Sequence, residues 1–443
     1  MQTNPGIISD IVFRLDIDAL NEMQNAFIEA SAEHDNLILL SATGSGKTLA
    51  FLLPVVSMLD PANKSTQAII IVPSRELALQ IEKVFKTFGT YFKVTCCYGG
   101  HKREIEENNL LQPPAVLIGT PGRLADHIRR DNIRTDTITT LVLDEFDKSL
   151  EAGFEDEMSF IVRSLPAVKK RFLTSATEAV EIPAFVNLTN EVRLDFLSQT
   201  SETTPERLAI KTVRSPEKDK LQTLLKLICY LGNRSTVVFC NHRESVERTS
   251  NWLKEQTITN VFYHGAMEQQ ERDSALFKFR SGTSNILITT DLAARGLDIP
   301  NIRYIVHYHL PHTEDIFTHR NGRTARMDAS GTAILVLSDD EQKPGYIGND
   351  ATEIELPGNL VLPEKPKWST LFIAAGKKDK VNKVDIVGFF GNKANLKKED
   401  IGLIDVKDFS SFVAVKKNKV GEALRMVKDQ RIKNKKVRID IAK

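Results

Sequence analysis

The run LILLSATGSGKTLAFLLPVVSML, residues 37–59, decides how this chain folds. Four apolar residues suited to a strand lead into a glycine-rich loop, and the loop feeds an apolar segment long enough for a helix. Within it, SATGSGKT (41–48) keeps the spacing G-x-x-x-x-G-K-[ST] except at its first place, where Ser41 stands for Gly. That pattern implies phosphate chemistry. Gly44 and Gly46 let backbone N–H groups face phosphate oxygens, Lys47 reaches the β- and γ-phosphates of ATP, and Thr48 offers a hydroxyl to Mg2+. Thr43 and Ser45 complete the nucleotide-binding set, and the helix N-terminus adds a positive dipole end. A Gly/Ser turn with an incidental lysine is the bland alternative. The strand before it and the helix after it argue against that.

A strand feeding a helix through such a loop belongs in a parallel sheet covered on both faces. The rest of the first half repeats the alternation. The runs AIIIV (68–72), VTCCY (94–98), AVLIG (115–119), TLVL (140–143) and RFLTSA (171–176) are separated by segments of helical periodicity. FLSQTSETTPERL (196–208) is polar and rich in Ser and Thr, and reads as a linker. The alternation then restarts with STVVFC (235–240), VFYHG (261–265), NILITT (285–290), YIVHYHL (304–310) and GTAILVL (331–337). After a Pro- and Gly-rich stretch, the last module runs strand, helix, strand, strand, helix, strand, the ferredoxin-like order of RNA-recognition motifs. The expected domains are 1–200, 201–345 and 368–443, with 346–367 as a linker.

The strand LVLDEFDK (141–148) ends in three carboxylates. Turns favour Asp, so the pattern alone is ordinary. Beside a phosphate loop it has a purpose: Asp144 would hold Mg2+ and Glu145 would position the attacking water. Far downstream, HRNGRTAR (319–326) carries Arg323 and Arg326, three apart, which share a face if the segment is helical; they are either stabilisers of transferring phosphate or an ordinary solvated basic face.

Composition narrows the classes. The chain has 443 residues, 41% hydrophobic and 26% charged, enough for two to four cored domains. Its net charge of +1 hides an asymmetry. From Glu364 to Lys443 there are 21 Lys and Arg against 10 Asp and Glu, a net of +11, while the preceding residues carry a net of −10. A basic module of this kind suits a polyanion. Cys96, Cys97, Cys229 and Cys240 form no C-x-x-C pair, which argues against zinc; Cys96 and Cys97, adjacent in an apolar run, are expected to be buried thiols, and reduced thiols suit a cytoplasmic setting. The opening MQTNPGIISD lacks the charged and apolar regions of a secretion signal, and no run of 18 apolar residues is present. A cytoplasmic, monomeric protein without a membrane partner is the expectation.

In order and spacing these stretches resemble the DEAD-box family of RNA helicases. SATGSGKT resembles motif I, PSRELALQ (73–80) motif Ia, Gly99-Gly100 the GG motif, and TPGR (120–123) motif Ib. DEFD (144–147) takes the DEAD position, and SAT (175–177) resembles motif III. VVFCNHR (237–243) resembles motif IV, Gln269 with Arg272 the QxxR motif, TDLAARGLD (290–298) motif V, and HRNGRTAR motif VI. The resemblance implies two RecA-like α/β domains in tandem, followed by an RRM-like α+β domain. It also implies residue roles. Gln24 would read adenine and Asp298 would contact the ribose. Lys47, Thr48, Asp144 and Glu145 would bind and hydrolyse MgATP, with Arg323 and Arg326 at the γ-phosphate. Ser175, Thr177, Asp147 and His319 would couple hydrolysis to motion. Arg75, Gly100, Thr120, Arg123, Gln269, Arg272 and Thr290 would touch the RNA backbone. There are departures: Phe146 replaces Ala in the tetrad, LNEMQ (20–24) lacks the usual prolines, and Ala325 replaces Gly between the arginines.

The basic module is the candidate for target choice. LFIAAG (371–376) resembles one RNP motif, with Phe372 at a stacking position. DFSSFVAV (408–415) resembles the other in part: Phe412 fits, but Ser410 stands where an aromatic is expected. Phe372 and Phe412 are therefore either a stacking platform or core. Lys377, Lys378, Lys380 and Lys383, with Arg431, Lys433, Lys435 and Lys436, favour RNA. The module also resembles the C-terminal domain of a bacterial branch of the family that recognises a hairpin of large-subunit (23S) rRNA, which implies action on pre-ribosomal particles. The rival expectations are a general messenger-RNA or cold-shock helicase, and an ATP-gated RNA clamp with little unwinding.

Overall fold

The computed structural model describes residues 5–42, 44–100, 102–177, 182–197, 208–291, 302–322, 331–348, 351–359, 361–433 and 435–442. Contacts divide it into two compact units, one up to residue 206 and one holding the rest of the described chain.

In the first unit seven described strands form one parallel sheet, in the order β3-β4-β2-β5-β6-β1-β7. They are β1 (Asn36–Leu40), β2 (Ala68–Ile71), β3 (Val94–Cys97), β4 (Val116–Gly119), β5 (Thr140–Leu143), β6 (Lys170–Ser175) and β7 (Val192–Asp195). Strands β1, β2, β4 and β5 are buried at every residue, as a sheet covered on both faces requires. One apolar cluster gathers Phe27, Leu39, Phe51, Ile70 and Phe172, and the cluster on the other side gathers Ile38, Ile71, Leu143, Phe146 and Leu173. The order places β5, β6 and β1 side by side, although β1 and β5 lie about a hundred residues apart in the chain. Register then aligns their ends: Leu40 faces Ser175, and Leu143 faces Leu173. The loop after β1 and the acids after β5 therefore open at the same carboxyl edge, where open α/β sheets bind ligands.

The second unit holds another parallel sheet, β10-β11-β9-β12-β13-β8-β14. Its strands are β8 (Leu208–Ser215), β9 (Thr236–Phe239), β10 (Val261–Tyr263), β11 (Ile286–Thr289), β12 (Tyr304–His307), β13 (Gly331–Ser338) and β14 (Thr352–Glu353). Strand β14 falls within 346–367, the stretch expected to be a linker. It pairs in parallel with β8, and Ile347 and Ile354 on either side are buried, so their apolar side chains hold this stretch against the sheet.

The same unit carries the C-terminal domain. Strands β15 (Trp368–Ile373), β16 (Ile401–Val406), β17 (Ser411–Lys416) and β20 (Ile439–Ile441) form an antiparallel sheet in the order β16-β17-β15-β20. A short hairpin, β18 (Arg431–Ile432) and β19 (Lys435–Lys436), stands apart from it. Helices Lys383–Ala394 and Lys417–Val427 cover one face over Leu371, Ile373, Val413 and Val415. This is the ferredoxin-like arrangement expected from the element order.

Candidate functional site

The glycine-rich loop has the shape its sequence requires. Gly44 and Gly46 sit at φ +87° and +96°, where a side chain is strained. A Cβ on Gly46 would also lie 2.6 Å from Gln24 Nε2. Gln24 reaches the loop because its helix, Glu22–Glu33, begins with a capping box. Asn21 Oδ1 accepts from Gln24 N, and Gln24 Oε1 accepts from Asn21 N. Asn21 Nδ2 then donates to Ser45 O at 3.0 Å, and Gln24 Nε2 to Gly46 O at 3.4 Å. Lys47 opens the helix Lys47–Ser57 and donates to the carbonyls of Ser41 and Ala42, with Thr48 in the same first turn. Thr43 lies outside the described residues.

At the neighbouring strand ends the acids are ordered by a residue that no motif marks. Thr174 donates its hydroxyl to Asp144 Oδ1 at 2.5 Å and accepts from the Glu145 backbone N–H at 3.1 Å. Glu145 itself sits at φ +49°, in the left-handed region that suits a tight exit from the strand. Burial raises the Asp144 carboxyl to about 7, and Glu145 adds to the rise; Thr174 and Lys47 oppose it. A buried carboxylate crowded by other acids fits a divalent cation. The donors are hard oxygens, the Asp144 carboxylate and the Thr48 hydroxyl, as Mg2+ prefers. Asp147 pairs with buried Lys148 at 3.0 Å, and its Oδ2 accepts from Thr177 at 3.4 Å. Thr177 is bonded in turn to Ser175. Asp147 Oδ1 and Ser41 Oγ are buried without a hydrogen-bond partner among the described residues. Phe146 takes no part in this network. Its ring lies in the core with Leu143, Met158 and Leu173.

Elsewhere in this unit, the residues assigned to RNA converge. Arg75, at the start of helix Arg75–Thr87, stacks over Tyr98 at 4.6 Å and lies 3.8 Å from the place of a Gly100 Cβ. Gly99, Thr120, Gly122, Arg123 and Phe154 line one open cavity of about 420 Å³. Thr120 is the N-cap of helix Pro121–Arg129, whose first turn therefore faces this cavity. Arg123 is held by Glu106, which is 0% exposed, at 3.1 Å. The same carboxylate meets His127 Nε2 at 2.9 Å and the Tyr98 N–H at 3.1 Å. The Asn132 amide faces His127 Nδ1 at 3.1 Å, so Nε2 carries the proton toward Glu106. Cys97 is close by, but Arg123 supplies the positive charge of this cluster. Glu106 carries no motif, and only its position in the fold reveals it.

In the second unit, Gln269 and Arg272 lie in the first turn of helix Gln269–Arg280, where Gln269 donates to Asp273 at 3.1 Å. Thr290 directly follows β11, and His319 lies on helix Glu314–Asn321. Its neighbour Arg320, to which the motifs give no role, is buried and bonds Asp291, Asn241 and the His309 carbonyl. It thus ties three strand ends together. Burial and the Arg320 charge lower His307 beneath it to about 3. Asp298, Arg323 and Arg326 lie outside the described residues.

On the C-terminal domain the two lysine groups form one edge. Lys433 donates to the Lys380 carbonyl at 2.8 Å and pairs with Asp385, and Lys435 pairs with Asp379. Lys436 pairs with Asp429, while Lys377, Lys378 and Lys380 are exposed. The aromatic question resolves toward core. Phe372 and Phe412 are 9% and 1% exposed, packed with Phe277.

Comparison with known proteins agrees with this layout. The profile of the DEAD/DEAH box helicase family matches residues 21–184, that of the helicase conserved C-terminal domain 219–328, and that of the DbpA RNA binding domain 370–441. ATP-dependent RNA helicase DbpA of Escherichia coli (strain K12) is 31% identical over 96% of this chain and 94% of its own length. The Bacillus subtilis (strain 168) protein of the same name is 29% identical over 95% and 94%. Among solved structures, S. cerevisiae Dbp5 bound to RNA and ADP BeF3 aligns with a TM-score of 0.66 and 28% identity, over 75% of this chain and 87% of that one.

Proposed function

The chain belongs to the DEAD-box family of ATP-dependent RNA helicases and ends in a DbpA-type RNA-binding domain, and from that premise we propose that it remodels large-subunit rRNA during ribosome assembly. One observation carries the target assignment. The domain that matches the DbpA RNA-binding family has a net charge of +11 over Glu364–Lys443, and its fold gathers two separate lysine groups at one edge. Lys377, Lys378, Lys380, Lys435 and Lys436 would hold the rRNA there. Lys377, Lys378 and Lys380 are the stronger contributors, because Lys435 and Lys436, although exposed too, already have acidic partners.

The chemistry follows from the strand ends. Lys47 and the N-terminus of its helix would hold the β- and γ-phosphates. Thr48 and Asp144 would hold Mg2+, which supplies charge neutralisation to the phosphates. Glu145, its backbone fixed by Thr174, would orient the attacking water. Ser175, Thr177 and Asp147 form a bonded set at the adjacent strand end and would carry the change onward. Gln24 would meet adenine from its place on the loop, and Arg323, Arg326 and Asp298 keep the roles that the family implies. Arg75, Gly100, Thr120 and Arg123 would grip the RNA backbone, which carries no sequence information, so specificity is left to the C-terminal domain. Each displaced base-pair step costs about 1.4 kcal/mol by DNA values, so only a short duplex would open per ATP cycle. The domain limits 1–200, 201–345 and 368–443, a monomeric state and a cytoplasmic setting belong to the same reading. Among the described residues no helix is long and apolar enough to cross a membrane.

The test is steady-state ATPase activity with no RNA, with generic RNA, and with a large-subunit rRNA hairpin of equal length. Selective stimulation by the hairpin is expected. Equal stimulation by every RNA would replace the ribosomal target with a general helicase role. RNA binding without stimulation, together with an unchanged rate in Glu145→Gln, would leave an ATP-gated clamp.

A further inference from the structure

The last two residues of β6, Thr174 and Ser175, belong to opposite faces of the first sheet. Parallel register sets Val142 opposite Phe172 and Leu143 opposite Leu173 on β5 and β6, so the next pair, just past the end of β5, is Asp144 with Thr174. On the other flank Leu39 of β1 faces Thr174. Side chains alternate along a strand, so Val142, Asp144, Phe172 and Thr174 share one face, while Leu143, Leu173 and Ser175 share the other. Val142 and Phe172 pack in one cluster with Phe51, Leu52 and Val55. The first face is therefore the one covered by helix Lys47–Ser57, which opens with Lys47 and Thr48. On the second face Ser175 bonds Thr177, which donates to Asp147. Thr174 is 0% exposed, and its hydroxyl is engaged on both sides. It donates to Asp144 Oδ1 and accepts from the Glu145 N–H. The first bond takes Oδ1 and leaves Oδ2 to a metal. The second holds a backbone at φ +49°, a conformation that residues other than glycine keep only where their surroundings fix it.

We propose that Thr174 is a positioning residue for ATP hydrolysis: its one hydroxyl sets the Asp144 carboxylate for Mg2+ and the Glu145 backbone for the attacking water. The proposal rests on the reading of those two acids as the metal ligand and the water-orienting group. Thr174 touches neither nucleotide nor metal in this role and acts through the acids. Its place in the chain adds a second consequence. Thr174 and Ser175 are consecutive, so one strand end holds the hydrolytic acids on one face and the coupling set of Ser175, Thr177 and Asp147 on the other. A movement of that strand end reaches both sets together.

Full-length Thr174→Val and Thr174→Ser test this. Valine keeps the shape and has no hydroxyl, whereas serine keeps the hydroxyl and loses the methyl group. With saturating RNA and Mg2+, Thr174→Val should lower kcat by about 10–100-fold, the usual effect of removing a partner that orients a metal-ligating carboxylate. The KM for ATP should stay within about threefold, because Lys47 and its loop still hold the phosphates. Thr174→Ser should restore kcat to within about threefold of the parent. Rates are scaled to the fraction of protein that binds nucleotide, so a partly unfolded sample does not imitate the loss. The second measurement needs no turnover. Binding of a fluorescent ATP analogue is followed as Mg2+ is added, and the half-maximal Mg2+ concentration should rise about tenfold in Thr174→Val and little in Thr174→Ser. A Thr174→Val protein that keeps the parent's kcat or the parent's Mg2+ midpoint would overturn the proposal, and so would an equal loss in Thr174→Ser. If the parent hydrolyses no ATP, the helicase reading fails, while the Mg2+ titration still decides the role of Thr174.

Discussion

At the scale of single residues, the site shows function held against stability. The folded-state pKa of Asp144, about 7, stands well above the ordinary carboxylate value. Between roughly pH 4 and 7 the folded protein therefore keeps a proton that the unfolded chain has released, and nucleotide-free stability falls as pH rises through that window. Asp144→Asn removes the buried charge. We expect it to abolish ATP hydrolysis yet melt higher than the parent at pH 8, by roughly 5 °C, the order expected for 1–2 kcal/mol in a domain of this size. That advantage should vanish near pH 4. Calorimetry at both pH values checks it, and equal melting at pH 8 would contradict the burial argument. Glu106 gives the opposite case, a buried charge already paired. Glu106→Ala would leave the Arg123 guanidinium without its carboxylate and the His127 Nε2–H without its acceptor. Breaking a buried pair in this way costs about 3 kcal/mol, readable as a lower urea midpoint for the first unit. The RNA concentration for half-maximal ATPase should rise as well, because Arg123 loses its orientation.

At the scale of elements, most strands are legible from local pattern and two features are not. Short apolar runs bounded by Gly, Pro and polar residues mark buried parallel strands, and β2, β4 and β5 fall inside the runs read for them, while β1 begins one residue earlier. Strand β14 escapes because two residues in a Pro-rich context carry no periodicity. It exists because Ile354 has a buried place beside it and donates its N–H to Thr212 O at 2.8 Å. Ile354→Ala should cost about 2–3 kcal/mol, the large-to-small range for a core site, and expose 346–367 to protease. Unchanged digestion would mean that the strand is not held by that side chain. Strand β15 carries a subtler signal. TLFIAA is almost continuously apolar where a half-exposed antiparallel strand would alternate, and a continuous run means that both faces are covered. The second cover is therefore written in the strand, although its identity as Phe277 is not.

At the scale of the whole molecule, charge separates the catalytic body from the basic tail. A net of +11 over Glu364–Lys443 makes RNA affinity salt-dependent through counterion release. Replacing Lys377, Lys378 and Lys380 together by alanine should reduce the slope of log affinity against log salt by about 2, at roughly 0.7 per contact on single strands. The same change at Lys435 and Lys436 should do less, since Asp379 and Asp429 already neutralise them. Fluorescence anisotropy over a salt series measures both. Identical slopes for the two sets would mean that Lys377, Lys378 and Lys380 do not face the RNA.

The amino-acid order determined whatever depends on near neighbours. The phosphate loop needs two left-handed glycines before a lysine at a helix start, and the acids need a strand to end on. Both requirements act within one short stretch of chain, so spacing displays them. Tertiary structure alone brought Thr174 to Asp144, Glu106 to Arg123, Arg320 to Asp291 and Phe277 to Phe412. The partners in each pair come from different elements of the fold, and nothing in a local pattern marks which hydroxyl, carboxylate or ring will be the partner. A buried polar group needs some partner to offset its desolvation, and a buried ring needs some neighbour to pack against. The sheet order and the docking of the last domain chose which ones they found.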